Sequence, residues 1–370
     1  MTEWKNCTIS DLGNIIGGAT PSTKNPAYYD GGEIPWITPK DLADFQGRYI
    51  SHGKRNITEA GLRSCSAQML PAHTVLFSSR APIGYIAIAA NSVCTNQGFK
   101  SVIPNDNTDY LFLYYLMKYY KHVIEGMGSG TTFKEVSAAT MRGIKVRVPK
   151  EKRDQHRIAA FLSALDDKIE INNQINKNLL EQAQALYAEI FVYKANPAWK
   201  IGHLSDFINI RYGKDHKKLA DGIYPVYGSG GIMRYVEKPL YDRESVLIPR
   251  KGTLNNVMYV NEPFWSVDTM FFTEMKKPNV AKFVYHFVRS KNLASLNSGS
   301  AVPSMTTDIL NAMELQMPDT DTLSKFETLV APMYLTIQQN IKESSKLAEV
   351  RDSLLPRLMS GELDVSNLDL

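Results

Sequence analysis

Loops that combine Lys or Arg with Ser, Thr, Asn and Gln are the residues of this sequence best suited to chemistry. Cationic side chains neutralise phosphate oxygens, while amide and hydroxyl groups exchange hydrogen bonds with base edges. Arg211-Tyr-Gly-Lys214-Asp-His-Lys217-Lys218 is basic and broken by glycine, and Arg250-Lys251-Gly252 follows a predicted strand. The first half of the chain offers Thr38, Lys40, Ser79, Arg80, Asn96, Gln97, Ser129 and Thr131, and Ser298 matches Ser129 in the second half. These positions are the candidate contacts to a polyanion with phosphates and base edges. A lone basic loop is usually plain surface, so the candidates carry weight only if two such clusters are fixed on a rigid frame.

Catalytic patterns are hinted at and stay incomplete. Asn25-Pro26-Ala27-Tyr28 is one residue from the Asn-Pro-Pro-Tyr loop with which DNA adenine methyltransferases hold a target amino group, and Asn261-Glu262-Pro263-Phe264 is a second near match. Such a loop works beside a cofactor-binding βαβ unit with its own glycine turn. Neither stretch has that neighbour, and both read as turns. Gly126–Gly130 follows a helix, not a strand, and Gly47…Gly53-Lys54 is one residue too long for a phosphate loop and lacks the Ser or Thr that binds Mg²⁺. Asp166-Asp167-Lys168 falls within a helical pattern, where charges are expected to form a solvated face. The histidines show no metal spacing, and Cys7, Cys65 and Cys94 suit neither a disulfide framework nor a zinc site. The expectation is a chain with no catalytic residue, no metal and no cofactor of its own.

The elements that must position the basic loops are written as a repeat. Trp4-Lys5 recurs as Trp199-Lys200, followed by Ser10/Ser205, Asp11/Asp206, Asn14/Asn209, Ile15/Ile210 and Gly18/Gly213. Thr74–Phe77 then matches Ser245–Ile248, and Val148-Pro149 matches Met317-Pro318. About 19 extra residues lie in the first half between Trp36 and Thr74. Within each half, short apolar, β-branched runs such as Val75–Phe77, Tyr85–Ile88 and Val246–Ile248 are broken by Gly, Pro, Asn and Ser, the pattern of short strands with long connections. An aromatic helix is expected over Asp109–Ile124, its rings more naturally core than a stacking platform.

Each half ends in a heptad seam. Ile158, Leu162, Leu165, Ile169, Asn172, Asn176, Leu179, Ala183, Leu186 and Ile190 alternate in spacing between four and three, as in a coiled coil. The same pattern recurs 168 residues later at Phe326, Val330, Met333, Ile337, Asn340, Ser344, Leu347, Arg351, Leu354 and Leu358. Both seams turn polar at the centre, as antiparallel partners would if these layers met. The reading is an α+β protein in which two repeated globular domains are separated by two long antiparallel coiled-coil helices, with pseudo-two-fold symmetry. Its boundaries are 1–150, 151–195, 196–319 and 320–363, with a tail at 364–370.

The 370 residues, 44% hydrophobic and 22% charged, allow two to three ordinary globular domains. A net charge of +4 is too small to identify a polyanion partner without regard to where the charges lie. The polar start, the absence of an apolar span and the cysteine usage point to a cytoplasmic protein with no membrane partner.

Several motifs together resemble the specificity subunits of type I restriction-modification systems. They are Gly18–Ser22 (GATPS), Ile34–Leu42 (IPWITPKDL), Ser78–Gly84 (SSRAPIG), Thr95–Gly98 (TNQG), Gln155–Lys177 along the first helix and Arg351–Leu363 (RDSLLPRLMSGEL). The resemblance covers nearly the whole chain; before the second helix the expected motif is replaced by Thr322-Leu323-Ser324. It implies a non-catalytic subunit whose two target-recognition domains each read one half of a bipartite double-stranded DNA site. The helices would set the spacer and dock two methylation subunits, and the assembly would recruit two restriction subunits. S-adenosylmethionine, ATP and Mg²⁺ would then act through those other subunits. The alternatives are a recognition subunit paired with a fused methylase-nuclease, or a DNA methyltransferase or nuclease with a degenerate site.

Overall fold

The computed structural model describes residues 2–43, 45, 47–80, 82–130, 134–296 and 304–364. The chain forms two compact units, residues 1–173 with 341–370 and residues 174–340, so the division falls inside both long helices. The 364–370 tail, apart from Asp364, lies outside the described residues. Among the described residues no helix is long and apolar enough to cross a membrane.

In the first unit, strand Trp4–Thr8 pairs antiparallel with Lys145–Pro149, Trp4 opposite Pro149, which closes the two ends of the globule on each other. Between them lies a five-stranded sheet in the order Gly13–Gly17, Lys100–Pro104, Val75–Phe77, Ile86–Ala89 and Tyr49–Ile50. Val75 and Phe77 enter one core while Leu76, pointing to the opposite face, enters another. An unbroken apolar strand is what a sheet covered on both faces requires. One cover is the helix Tyr110–Tyr119, with Phe112, Leu113, Tyr114, Tyr115, Leu116 and Met117 all buried. Asp109 caps it by accepting the Phe112 N–H at 2.9 Å. A smaller sheet places Ile34–Ile37 between Arg55–Ile57 and the parallel strand Cys94–Thr95.

The second unit repeats this plan with different side chains. Ile201–His203 pairs with Glu314–Gln316. A four-stranded sheet runs Ile208–Tyr212, Met270–Met275, Ser245–Pro249, Met258–Val260, and a three-stranded sheet runs Gly231–Val236, Asp221–Gly228, Trp265–Ser266. Val246 and Ile248 face one core and Leu247 the other, as in the first repeat. The edge strand Tyr49–Ile50 has no counterpart, which locates the extra residues of the first half. The residue before it, Arg48, is 4% exposed and reaches Glu170 at 2.9 Å, Ser163 at 2.8 Å and Asp167, tying the insertion to the first long helix.

The first long helix runs Lys152–Ala188 and the second Thr320–Met359. In the first unit Asn172 donates to Ser344 at 3.2 Å and Glu343 at 2.8 Å, and Arg351 donates to Asp166 at 2.5 Å. Partner numbers fall as residue numbers rise, so the segments are antiparallel. In the second unit the order is the same, with Asn340 donating to Asn176 at 2.9 Å and the Phe326 ring 6.3 Å from that of Tyr187. Ile158, Leu162, Asn172, Asn176, Ala183, Phe326, Val330, Ile337 and Leu358 are buried. Leu165, Ile169, Leu179, Leu186, Ile190, Met333, Asn340, Ser344, Leu347, Arg351 and Leu354 are half-buried. Asp166 departs from the solvated face expected of it. It is 5% exposed, because the Tyr115 hydroxyl (2.6 Å) and Arg351 converge on its two oxygens.

In the second unit the helix Ala281–Arg289 docks on both long helices through His286, fully buried, whose Nδ1 faces Gln184 at 2.8 Å and whose Nε2 faces the Tyr334 hydroxyl at 2.9 Å. Burial, reinforced by nearby Arg289, pushes this imidazole down to about 3. The unfolded chain then binds the extra proton first, so stability is full above the ordinary histidine value and falls as pH drops below about 6.5, at up to ~1.4 kcal/mol per pH unit until about pH 3. Denaturant unfolding of the wild type and of His286→Asn at pH 7 and pH 5 measures this. The variant is expected to lose about 2 kcal/mol of the wild type's pH dependence, and equal slopes would remove His286 as the cause.

Candidate nucleic-acid interface

In the first unit the motif loops converge on one surface. Gly18 lies against the strand end at Thr95-Asn96, where an added Cβ would sit 2.1 Å from the Asn96 carbonyl oxygen, so no larger residue fits. Ala19 N–H donates to the Thr95 carbonyl at 3.0 Å, and the Trp36 indole donates to the Ala19 carbonyl at 3.1 Å. Asp41 gathers the next turn by accepting from the Thr38 N–H (2.8 Å) and hydroxyl (2.6 Å) and from the Lys54 N–H (2.9 Å). Although burial opposes it, these hydrogen bonds hold the Asp41 carboxyl below the usual range. Thr38 is thereby spent on its own turn, while Lys40 stays exposed.

Asn96 turns the chain by accepting the Gly98 N–H at 2.9 Å, which leaves Gln97 exposed at the tip, bonded to the Thr20 hydroxyl. Gly98 O then accepts from the Ser79 N–H at 2.7 Å, bringing the Ser78–Gly84 loop alongside. Arg80, 46% exposed, pairs with Glu135 at 2.9 Å, and Lys100 meets the same carboxylate at 3.2 Å. Burial raises the Glu135 pKa and these two cations lower it further, so it stays ionised. Ser129 is bridged to Glu135 through both backbones, at 2.9 and 3.1 Å. Thus Thr38, Lys40, Arg80, Asn96, Gln97 and Ser129 share one region, joined by Glu135, Lys100 and Lys54, which sequence alone did not single out. Their signal was only their place in the chain close to the motifs.

One candidate is corrected. Ser79 is fully buried with its hydroxyl 3.2 Å from the Gly98 carbonyl, so it holds the loop and presents nothing to a ligand. Thr131 and Ser298 lie outside the described residues. Asn25 caps a turn by accepting the Ala27 N–H at 3.2 Å, and Phe264 is fully buried.

The second unit rebuilds the same surface. A Cβ on Gly213 would sit 2.0 Å from the Val267 carbonyl oxygen, reproducing the approach at Gly18. The indole that braces this turn comes from a different strand: Trp265, not a residue of Asp221–Gly228, donates to the Lys214 carbonyl at 2.9 Å. Arg250 N–H donates to the Thr269 carbonyl at 2.9 Å and the Met305 N–H to the Arg250 carbonyl at 2.9 Å, as Ser79 does with Gly98 and Val136. Arg250 and Lys251 are therefore the structural counterparts of Ser79 and Arg80. The Arg250 guanidinium lies 5.3 Å over the Tyr212 ring, and Arg211 pairs with Glu274 at 3.0 Å. Lys214, Lys217 and Lys251 are exposed. The chemistry available in each unit is a cationic, amide- and hydroxyl-bearing surface suited to phosphates and base edges.

Comparison with known proteins follows this geometry. The family model described as "Type I restriction modification DNA specificity domain" matches twice, over residues 1–181 and 196–342. The chain is 32% identical to the specificity subunit of type I restriction enzyme MjaIX from Methanocaldococcus jannaschii, covering 99% of this chain and 95% of that protein. It is 23% identical to the EcoprrI specificity subunit of Escherichia coli, over 88% of each. Among solved structures, the type I restriction-modification S subunit from M. genitalium superposes with a TM-score of 0.61 at 18% identity, covering 97% of this chain and 96% of that one, a likeness of fold.

Proposed function

The chain belongs to the type I restriction-modification DNA specificity family, as a subunit for DNA recognition, and from that premise we propose that each of its repeats reads one half of a bipartite duplex target. The observation that carries the reading is the rebuilding of one basic-polar loop surface at equivalent positions of two repeats. In the proposal the antiparallel helices set the spacer between half-sites and dock two methylation subunits. Supporting that role, large apolar side chains remain exposed on the helices of each unit: Ile171, Ile341 and Val350 in the first, Ile175, Leu329 and Leu335 in the second. S-adenosylmethionine, ATP and Mg²⁺ are assigned to the methylation and restriction subunits, and the whole assembly to the cytoplasm. The chain alone is expected to transfer no methyl group, whereas the complex with its methylation partner methylates adenine at a split site. Incubation with labelled cofactor, with and without the partner, followed by mapping of methylated adenines, tests both statements; methylation by the isolated chain overturns the first.

A division of labour follows. Arg80→Ala or Gln97→Ala is expected to relax one half-site, and Arg250→Ala or Lys251→Ala the other, each by ~1–3 kcal/mol of base discrimination. Binding competition with oligonucleotides altered in one half-site reads this. Equal damage to both half-sites would reduce these side chains to phosphate contacts or supports.

A further inference from the structure

The hairpin of the second unit, strands Asp221–Gly228 and Gly231–Val236, has one face in the core, with Val226 and Val236 fully buried. Elsewhere it carries large apolar side chains into solvent: Ile223 is 77% exposed, Met233 61%, Ile232 49% and Tyr235 49%. The corresponding strands of the first unit show nothing comparable. Ile34 is half-buried there, and Trp36, Ile37 and Ile57 are buried. Exposed apolar groups concentrated on one ribbon mark a surface that something covers.

The position of the ribbon identifies the occupant. Its turn is anchored to the basic loop of the interface: the Asn256 side chain donates to the Ser229 carbonyl at 2.8 Å, and the Ser229 hydroxyl lies 2.6 Å from where a Gly252 Cβ would be. The turn that opens into Ile232 and Met233 is therefore fixed beside Gly252, the residue that follows Arg250 and Lys251. At the other end Arg234 bonds the Leu219 carbonyl at 3.0 Å and Asp221 at 2.6 Å, placing Lys217 and Lys218 beside the ribbon. Residues 211–238 hold six Lys and Arg against three Asp and Glu. An apolar ribbon edged with cations suits a polyanion whose interior is apolar. A two-stranded β-ribbon fits the major groove of B-DNA, where the apolar group on offer is the thymine 5-methyl.

We infer that this hairpin enters the major groove of the second half-site and that Ile232 and Met233 read a thymine there through its methyl group. The inference rests on the DNA-recognition reading of the interface and adds a base and two residues to it. Burying one methyl-sized group contributes ~0.8 kcal/mol, about a four-fold change in binding.

The test uses the chain in complex with its methylation partner and a duplex bearing the mapped target. Deoxyuridine replaces thymidine at one position at a time, which removes the methyl and leaves the pairing edge intact. The wild-type complex is expected to bind about four-fold more weakly at one or more thymine positions of the second half-site. Ile232→Ala with Met233→Ala is expected to abolish that sensitivity while leaving any response at the first half-site unchanged. A second half-site without thymine, or uracil sensitivity that survives in the double variant, overturns the inference. Failure of the wild-type complex to bind its mapped duplex at all would instead overturn the DNA-recognition reading. Binding that weakens in the variant only through loss of the methylation partner, seen by co-purification, would make the ribbon a protein contact and also overturn the inference.

Discussion

Four residues inserted after Lys177, matched by four between Gln338 and Gln339, are expected to lengthen the spacer between half-sites by one or two base pairs and leave the half-sites themselves unchanged. The pairs Asn172–Ser344 and Asn176–Asn340 place Lys177 opposite Gln339, so the matched insertion preserves the seam on both sides of it. Four residues add ~6 Å at ~1.5 Å per residue, against ~3.4 Å per base-pair step. They also overshoot a helical turn by about 40°, close to the twist of one base pair at ~10 per turn. Mapping of methylated adenines in cells carrying the variant and its partner subunits measures the outcome. An unchanged spacer, or new half-sites, would remove the helices from the ruler role proposed for them.

Asp166→Ala is expected to destabilise the first unit by ~2–3 kcal/mol. The substitution leaves the buried Tyr115 hydroxyl without its acceptor, and the Arg351 guanidinium, only 17% exposed, keeps Asp352 at 2.7 Å, itself 63% exposed. The buried hydroxyl left without an acceptor and the loss of the buried member of the Arg351 ion pairs carry that cost, which the remaining contact with Asp352 reduces. The adjacent Asp167→Ala should cost ~1 kcal/mol or less, since Asp167 is 54% exposed and Arg48 keeps Glu170 and Ser163. Amide exchange in the Tyr110–Tyr119 helix reports the first unit specifically. A loss below ~1 kcal/mol for Asp166→Ala, or strict additivity with Tyr115→Phe, would show that the network is not coupled.

These two variants separate what a linear reading carries from what it does not. The repeat, the short strands and the heptad seams were legible because they depend on local periodicity. Val75–Phe77 and Val246–Ile248 had to be apolar throughout, since each contributes to two cores. Asn172 and Asn340 were recognisable as seam positions because polar layers recur at the same heptad place. The loops around Gly18, Trp36 and Thr95 were legible as motifs, though nothing in their spacing said that they meet.

Meeting was decided by the tertiary structure. Asp166 looked like a solvated helix charge because its partners, Tyr115 and Arg351, lie 51 and 185 residues away. Ser79 looked like a polar loop residue, but a buried hydroxyl turns to the nearest carbonyl, here that of Gly98. The brace on the glycine turn is an indole on the central strand in one repeat, Trp36, and on its neighbour in the other, Trp265. Two adjacent strands can place a ring over the same turn, so the contact persists while the sequence position changes. By itself the sequence determined which segments become strands, helices and seams, because those choices rest on local periodicity and propensity. Which polar groups lie buried against one another, and which side chains remain on the surface, was decided only by folding, since desolvation depends on neighbours far apart in the chain.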